Sequence, residues 1–550
     1  MALTRTPQNG QSHVHGDTAA PLLDLTIPAL LAQTAARLPD HPCAVFTAQD
    51  VRWTYAEFAD RVDQLATGFL RAGISKGDRV GIWSPNRVEW LLTQFATARI
   101  GAILVCINPA YRPSELGYAL KTVGCKAIVT ATQFKSSDYI AMLQEVQAKA
   151  DLSDLTHIFV MGDQTPSGMS SFDDLLGKSD PMALDAIALD PHDPINIQFT
   201  SGTTGSPKGA CLTHHNIVNN AHFTTATMNF TKDDRLCIPV PFYHCFGMVM
   251  GTLGCVTKGA TMVIPGEGFE PAATLQTVSD EKCTALFGVP TMFVAEMALP
   301  DFDSYDLSHL RTGIMAGAPC PIAVMRRVQA DMNMSEVTIA YGMTETSPVS
   351  FQSNVDDPIQ QRVSSVGRIH PHVEVRIVGE DGATVPVGAQ GELLTRGYSV
   401  MRGYWGDDAK TADSIDADGW MHTGDLATLD AEGYCTITGR VKDMICRGGE
   451  NVFPKEIEDY LFEHPAVATA QVFGIPDDKL GEIVCAWIIP HDGQSLTAND
   501  ITAHCKDQIA YFKVPAIVRI VDEMPMTVTG KPQKFIMRDK MMSELGIAAD

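Results

Sequence analysis

The sequence predicts an α/β protein in which a large N-terminal domain, with several subdomains and parallel sheets, precedes a small mobile α+β domain. A chain of 550 residues exceeds the ~100–200 residues of one typical domain. Helix and strand patterns alternate through the first part, which is typical of a parallel sheet covered on both faces. The pattern changes after about residue 440. We therefore expect a disordered tail at 1–22, a large domain at 23–441 and a small domain at 442–550.

The alternation is clearest between residues 54 and 131. Thr54 and Glu57 form a capping box, which marks a helix N-terminus, and that helix is predicted to continue to about Arg71. Further helices are predicted at 88–98 and 113–123, and strands at 79–83, 102–107 and 127–131. In the last part, Pro454 suits the first turn of a helix. Strands are predicted there at 467–475 and 483–489, and another helix at 497–510.

The composition excludes several classes of protein. The 41 basic and 65 acidic residues give a net charge of −24, which argues against nonspecific binding of nucleic acid. No apolar run approaches the length of a membrane span, and the N-terminus lacks the apolar segment of a secretory signal. The 13 cysteines show no zinc spacing and no CxxC pair, so we read them as buried thiols. These features favour a cytoplasmic protein, with a transit peptide as the alternative for the first residues.

The strongest motif is IQFTSGTTGSPKG at residues 197–209. Its glycines allow tight turns that aim backbone N–H groups at one point, while its hydroxyls and Lys208 add donors and charge. The combination therefore favours a phosphate-binding loop over the alternative interpretation, an ordinary Gly/Ser turn. It is not a Walker A loop, because Gly209 follows Lys208 where a metal-binding hydroxyl is needed.

This segment resembles the phosphate loop of the adenylate-forming superfamily. Five further segments resemble the family's motifs in the same order: YGMTET at 341–346, DGWMHTGD at 418–425, GRVKD at 439–443, RGGEN at 447–451 and TGK at 529–531. The resemblance spans roughly residues 30–540 and looks closest to short- or medium-chain fatty acid–CoA ligases. It implies an ATP-dependent acyl-CoA synthetase that uses ATP, Mg²⁺ and CoA. Such an enzyme forms acyl-AMP with release of pyrophosphate and then transfers the acyl group to CoA with release of AMP.

The resemblance also implies the roles of individual residues. Lys531 would bridge the carboxylate and the α-phosphate, Thr344 would donate to that phosphate, and Glu345 would be the Mg²⁺ ligand. His244 would line the acyl and thiol channels. The residues implied to hold the nucleotide, or to take part in the hinge and the pantetheine passage, are Thr200, Ser201, Gly202, Thr203, Thr204, Gly205, Lys208, Gly317, Ala318, Pro319, Tyr341, Gly342, Met343, Asp425, Arg440, Lys442, Gly448 and Gly449.

Alternatives remain at this stage. The acid could be an aryl, thioether or other small acid, and the acceptor could be a carrier protein loaded by a stand-alone adenylation enzyme. A noncatalytic binding protein would be expected to lose Lys531 or Glu345, and both are present. The apolar stretches 248–250 and 287–293 could be core or could line an uncharged acyl pocket, which would favour an aliphatic tail. The partners are then a small carboxylic acid, ATP and CoA, with a homodimer as one possible assembly.

Overall fold

The computed structural model describes residues 6–162, 164–200, 207–318, 320–447, 450–477, 479–506, 508–527 and 531–547. Internal contacts divide them into two compact units. The large unit contains residues 15–374 and 395–421, and the small unit contains residues 6–14, 375–394 and the described residues from 422 onward. The predicted boundary at residues 441 and 442 rests on a hinge about which the small domain is expected to move. This boundary and the hinge at Lys442 remain predictions. Among the described residues, no helix has the length and apolar character needed to cross a bilayer.

The large unit contains an eight-stranded sheet that is parallel over most of its width. Strand Lys208–Thr213 pairs antiparallel with Pro194–Thr200, and strand Gly403–Tyr404 pairs antiparallel with Lys208–Thr213 at the edge of the sheet. In spatial order the strands are Ser170–Ser171, His157–Val160, Cys125–Thr130, Arg79–Trp83, Ile103–Cys106, Pro194–Thr200, Lys208–Thr213 and Gly403–Tyr404. The three strands predicted from the alternation lie side by side here.

A second sheet of the large unit has nine strands, with a parallel centre and antiparallel edges. In spatial order the strands are Arg368–Ile369, Val349–Gln352, Glu336–Gly342, Thr312–Ala316, Ala285–Gly288, Arg235–Cys237, Thr261–Ile264, Pro42–Phe46 and Val51–Thr54. Gln133–Phe134 and Ser137–Asp138 form a separate small hairpin. The predicted α/β class is thereby confirmed.

Helices surround both sheets, and their ends follow local sequence signals. The Thr54 hydroxyl accepts from the Glu57 N–H at 3.2 Å, and the Glu57 carboxylate accepts from the Thr54 N–H at 2.8 Å, so the predicted capping box is present. The α-helices of the large unit are Ile27–Arg37, Tyr55–Arg71, Val88–Ile100, Pro113–Val123, Tyr139–Lys149, Pro181–Asp185, His214–Thr227, Gly254–Lys258, Pro271–Asp280, Pro290–Met297, Ile322–Asp331, Ile359–Ser364 and Asp408–Ser414. A buried π-helix, Phe246–Leu253, precedes Gly254–Lys258.

The small unit has an antiparallel core and its own apolar clusters. One sheet contains Glu450–Val452, Ile445–Arg447, Gly481–Pro490 and Val467–Asp477, with Ile517–Ile520 parallel to Gly481–Pro490. Its helices are Pro454–Leu461, Ala498–Cys505 and Lys534–Leu545. The helix predicted to end at residue 510 ends at Cys505, because Lys506 adopts an extended conformation.

A further five-stranded sheet lies mainly in the small unit. Its strands are His13–His15, Val373–Val378, Gly391–Gly397, Met421–Leu429 and Cys435–Arg440. Order therefore begins earlier than the disordered tail predicted for 1–22. The reason is backbone pairing, since the Ser12 N–H donates to the Val385 carbonyl at 2.8 Å, and such pairing needs no apolar periodicity.

Candidate active site

The first and last residues of the phosphate-loop motif lie in two paired strands near one edge of the eight-stranded sheet. Strand Pro194–Thr200 pairs with strand Lys208–Thr213, and the register places Thr200 opposite Lys208. The pairing therefore fixes Thr200 and Lys208 one strand spacing apart. The predicted nucleotide-binding residues Ser201, Gly202, Thr203, Thr204 and Gly205 lie outside the described residues.

Glu345 is the carboxylate that the structure brings to this hairpin. It lies in the 3₁₀-helix Thr344–Thr346, just after strand Glu336–Gly342, and its side chain is buried. Two hydroxyls donate to the same oxygen, Oε1: Thr200 Oγ1 at 3.2 Å and Tyr404 Oη at 2.9 Å. Both donors are neutral, so no cationic side chain in these contacts neutralises the carboxylate. This arrangement holds a negative charge in a fixed position beside the end of the phosphate-loop motif.

Tyr404 also lies beside Lys208. The Lys208 ammonium is 4.9 Å from the centre of the Tyr404 ring, within the range of a cation–π contact. Burial raises the pKa of the Tyr404 phenol, and the negative charge of Glu345 raises it further. The phenol therefore keeps its proton and remains a donor to Glu345. One aromatic side chain thus contacts both the acidic and the basic group of this cluster.

Tyr404 is a site residue that was not predicted from the sequence. It lies in the two-residue strand Gly403–Tyr404, which pairs with the hairpin strand so that Tyr404 faces Ala210 in the ladder. Nothing in the local sequence indicates that a residue 59 positions after Glu345 contacts its carboxylate. Only the sheet topology brings the two side chains together.

The predicted adenine segment and the second nucleotide motif lie at neighbouring strand ends of the nine-stranded sheet. Strands Thr312–Ala316 and Glu336–Gly342 are parallel, with Ala316 opposite Ala340, so Gly317 and Ala318 follow one strand and Met343 follows the other. Carboxyl ends of parallel strands are where ligands bind in open α/β sheets. Pro319 lies outside the described residues.

Gly342 has a structural reason to be glycine. A Cβ added there would lie 1.7 Å from the Pro348 carbonyl oxygen, which is far closer than any real contact. The Met343 N–H donates to this same carbonyl at 3.0 Å. Gly342 therefore allows the close backbone approach that sets the position of the following turn, which contains Thr344 and Glu345. Tyr341, the preceding residue, is partly buried.

His244 lies directly before the buried π-helix. Its Nδ1 accepts the N–H of Phe246 at 3.2 Å, which leaves Nε2 as the position of the proton in the neutral ring. The neighbouring Cys245 thiol donates to Gln198 Oε1 at 2.9 Å. Burial raises the pKa of this thiol well above its usual range, so it stays protonated and is a poor nucleophile.

The remaining predicted residues lie in the small unit. Asp425 and Arg440 are opposite each other in an antiparallel ladder, and Arg440 Nε donates to Asp425 Oδ1 at 3.0 Å. Asp425 is buried, whereas the Arg440 side chain is 66% exposed. Lys442 lies in the 3₁₀-helix Val441–Asp443. Gly448 and Gly449 lie outside the described residues.

Lys531 follows the part of the TGK motif that lies outside the described residues. Its N–H donates to the Thr527 hydroxyl at 2.9 Å, and its carbonyl accepts from the Thr527 N–H at 2.7 Å. These two bonds anchor the backbone of Lys531 to Thr527 within the small unit.

Comparison with known proteins now decides the family. The AMP-binding enzyme family matches residues 31–405, and the AMP-binding enzyme C-terminal domain matches residues 456–531. The chain belongs to this family. Its relatives include "Putative acyl-CoA synthetase YngI" of Bacillus subtilis (strain 168), 47% identical over 96% of this chain and 100% of the relative. "Medium-chain acyl-CoA ligase ACSF2, mitochondrial" of Danio rerio is 44% identical over 98% of this chain and 91% of the relative.

Solved structures agree with this assignment. The anthranilate CoA ligase AuaEII in complex with anthranoyl-AMP has a TM-score of 0.84 at 26% identity, over 96% of this chain and 99% of that one. ATP-bound MatB from Rhodopseudomonas palustris has a TM-score of 0.82 at 29% identity, over 94% and 99%. The predicted superfamily and reaction class, an AMP-forming acid–CoA ligase with a small acid, ATP and CoA as substrates, are confirmed. The roles of the individual site residues remain predictions.

Proposed function

We propose that this AMP-forming ligase activates short- or medium-chain fatty acids and transfers them to CoA. The observation that carries the adenylation chemistry is the buried Glu345, held by Thr200 and Tyr404 beside the phosphate-loop motif. Support for the acid class comes from the name of the ACSF2 relative, a medium-chain acyl-CoA ligase. The uncharged stretch of the π-helix, with Met248 and Met250 buried, suits an aliphatic tail better than an ammonium-bearing acid.

The donor set around Glu345 fits Mg²⁺. A carboxylate with a neighbouring hydroxyl offers the hard oxygen ligands that this ion prefers, and Glu345 has no cationic competitor in its described hydrogen bonds. Mg²⁺ held there would supply positive charge to the phosphate oxygens of ATP. Thr200 and Tyr404 both donate to Oε1 of Glu345. These two contacts fix the orientation of the carboxylate and therefore the direction of its other oxygen, Oε2.

The chain's own residues then account for adenylation. Attack of a carboxylate on the α-phosphate brings two anions together, and positive charge must offset their repulsion. In the proposed mechanism Lys208 neutralises the phosphates, Thr344 donates to the α-phosphate, and Lys531 bridges this phosphate and the attacking carboxylate. Asp425 and Arg440 hold the ribose hydroxyls, and the residues after Ala316 pack against adenine.

A panel of acids tests the proposal. AMP release would be measured with ATP and Mg²⁺, with and without CoA, for straight-chain acids of increasing length, benzoate, anthranilate and an amino acid. We expect CoA-dependent AMP release to be highest for short or medium aliphatic acids. Preference for an aryl acid would support the alternative acid class. Strong pyrophosphate release without any acyl transfer to CoA would support a carrier-loading enzyme instead.

We also propose a cytoplasmic enzyme that binds no nucleic acid. All cysteines except Cys320 and Cys446 are buried and all are free thiols, which fits a reducing compartment. The net charge of −24 disfavours contact with nucleic acid backbones. A homodimer is the proposed assembly, and light scattering of the purified protein at two concentrations would test it. Fractionation of the source cells would test the location.

A further inference from the structure

A cavity of about 450 Å³ in the large unit shares no residue with the proposed active site. Three basic side chains, Arg37, Lys232 and Lys258, line it together with His222, and no carboxylate does. This is unusual for a chain with 65 acidic and 41 basic residues. The other lining residues are Leu38, Phe230, Thr231 and Thr257.

Helix ends bring the basic groups together. Arg37 is the last residue of helix Ile27–Arg37, and Lys258 is the last residue of helix Gly254–Lys258. The Arg37 Nη2 lies 3.3 Å from the position of a Cβ on Gly259, so the guanidinium sits at the end of the second helix. The Lys258 Nζ lies 3.4 Å from His222 Nδ1. Lys232 forms an exposed ion pair with Asp233 at 2.6 Å, so Arg37 and Lys258 carry most of the uncompensated charge.

Helix dipoles explain part of this arrangement, since cations are favoured near helix C-termini. They do not explain why two cations line the same cavity. Burial, together with the nearby Arg37 as the second cause, lowers the pKa of Lys258 to about 8. Burial lowers the pKa of His222 to about 4, with Lys258 as the second cause. The His222 ring is therefore neutral near neutral pH, whereas Arg37 and Lys258 repel each other, and an anion between these two cations would relieve the repulsion.

We propose that this cavity binds a small phosphate-bearing anion between Arg37 and Lys258. Arg37 offers the paired N–H donors that match phosphate oxygens, and Lys258 offers a point charge. The volume lies in the range of small-molecule sites. Two sources share this chemistry: free pyrophosphate and the phosphates of a nucleotide.

Chemical labelling of Lys258 tests the site directly. The full-length protein is treated with an acetylating reagent at pH 8, and acetylation of each lysine is followed by peptide mass spectrometry. Inorganic pyrophosphate, without metal and at constant ionic strength, is the first probe, and adenosine 3′,5′-bisphosphate is the second. We expect saturating probe to slow acetylation of Lys258 about fivefold or more, while acetylation of Lys149 changes less than about twofold. Lys149 is also the last residue of a helix and is exposed, but it is paired with Glu145.

Two variants make the result specific. Arg37→Ala removes an exposed side chain at a helix end and should raise the half-protecting concentration about tenfold or more, with AMP formation unchanged. Lys149→Ala is the matched control and should leave protection of Lys258 unchanged. Protection by pyrophosphate alone, or by the nucleotide alone, assigns the source. Lack of protection by both probes, or equal protection in Arg37→Ala, overturns the proposal.

Discussion

The phenolic oxygen of Tyr404 lies 2.9 Å from Oε1 of Glu345, and the Lys208 ammonium lies over the same phenol ring. The tyrosine therefore links the proposed metal ligand with the lysine of the phosphate-loop motif. Because all three side chains belong to the large unit, this cluster does not depend on the position of the small unit. The proposed site of the first half-reaction is thus partly assembled within a single unit.

Tyr404→Phe should weaken the metal dependence of adenylation without unfolding the protein. The variant removes one hydrogen bond to a charged group, which is worth about 1.5–3 kcal/mol, while the ring under Lys208 stays in place. We expect a roughly tenfold higher Mg²⁺ concentration for half-maximal acyl-AMP formation. Tyr305→Phe is the matched control, because Tyr305 makes an exposed hydrogen bond to Asp301 at 3.3 Å. An unchanged Mg²⁺ requirement in Tyr404→Phe would mean that Tyr404 does not position Glu345.

Glu345→Gln should reduce adenylation more than Tyr404→Phe does. The amide keeps the size of the side chain but loses its charge, so it no longer holds the ion that stabilises the transition state of adenylation. We expect a loss of several kcal/mol of this stabilisation, which lowers the rate roughly a hundredfold or more. Pyrophosphate release at limiting Mg²⁺ is the measurement. Glu145→Gln serves as a control carboxylate outside the proposed site, since Glu145 pairs with Lys149 at 2.7 Å on the exposed face of a helix. Wild-type activity of Glu345→Gln at limiting Mg²⁺ would exclude Glu345 as the metal ligand.

Lys531→Ala should separate the two half-reactions. In the proposed mechanism its charge acts in the adenylation transition state, so single-turnover formation of acyl-AMP should fall by roughly a hundredfold or more. The same variant, given synthetic acyl-AMP and CoA, should form thioester at a near wild-type rate. Lys534→Ala is a nearby lysine control, because Lys534 pairs with Glu458 at 2.7 Å. Equal slowing of both half-reactions by Lys531→Ala would indicate a structural role.

Lys442→Pro should have the opposite effect. Proline fixes φ, so it would restrict the proposed rotation of the small domain at the 3₁₀-helix Val441–Asp443. We expect acyl-AMP to form and accumulate while thioester formation slows strongly. Lys442→Ala removes the same side chain but leaves the backbone free, and it should retain both half-reactions. The hinge assignment fails if Lys442→Pro transfers the acyl group to CoA as fast as Lys442→Ala.

Acid should destabilise the large unit through His214. This side chain is fully buried, its Nδ1 accepts the Ile27 N–H at 3.1 Å, and burial lowers its pKa to about 3. In the unfolded chain a histidine has a pKa of ~6.5, so between pH 6.5 and 3 only the unfolded state binds the proton. Stability is therefore complete above pH 6.5 and is lost as the pH falls. From pH 7 to pH 5 the expected loss from this one group is about 2 kcal/mol.

His214→Gln keeps a hydrogen-bond acceptor and removes this titration. Denaturant unfolding at pH 7 and pH 5 should show a loss of stability smaller by about 2 kcal/mol in the variant than in the wild type. His309→Gln, at an exposed position, is the control and should show the wild-type loss. Identical pH dependence of all three proteins would show that His214 does not carry this effect.

The parts of the fold that depend on local signals could be predicted from the sequence. The capping box at Thr54 and Glu57 correctly predicted the start of helix Tyr55–Arg71, because both partners lie within one turn. The contact between Tyr404 and Glu345 could not be predicted, since it depends on which strand closes the sheet edge. The π-helix Phe246–Leu253 also has no sequence signal, because an apolar run without charged residues fits several helical periods equally well.

The pairing of Asp425 with Arg440 is an intermediate case. The sequence suggested both residues as ribose ligands only through the resemblance to the family. The structure places them opposite each other in an antiparallel ladder joined through Asp430 and Gly433, where a turn brings the strands back together. A β-hairpin predicted for this segment from its sequence would have placed Asp425 opposite Arg440 without any reference to a ligand.

The register that places Thr200 opposite Lys208 has a consequence for loop engineering. The strands hold Thr200 and Lys208 together, and the entropic cost of linking two paired strands grows only with the logarithm of the length of the linking segment. Extra residues inserted between 201 and 207 should therefore lower thermal stability little, while the aim of the motif's donors is lost. Inserted residues at this position should therefore be compatible with folding but not with catalysis. A library of loop lengths could yield well-folded proteins that no longer turn over ATP, which makes them suitable inert scaffolds for grafting other anion-binding loops.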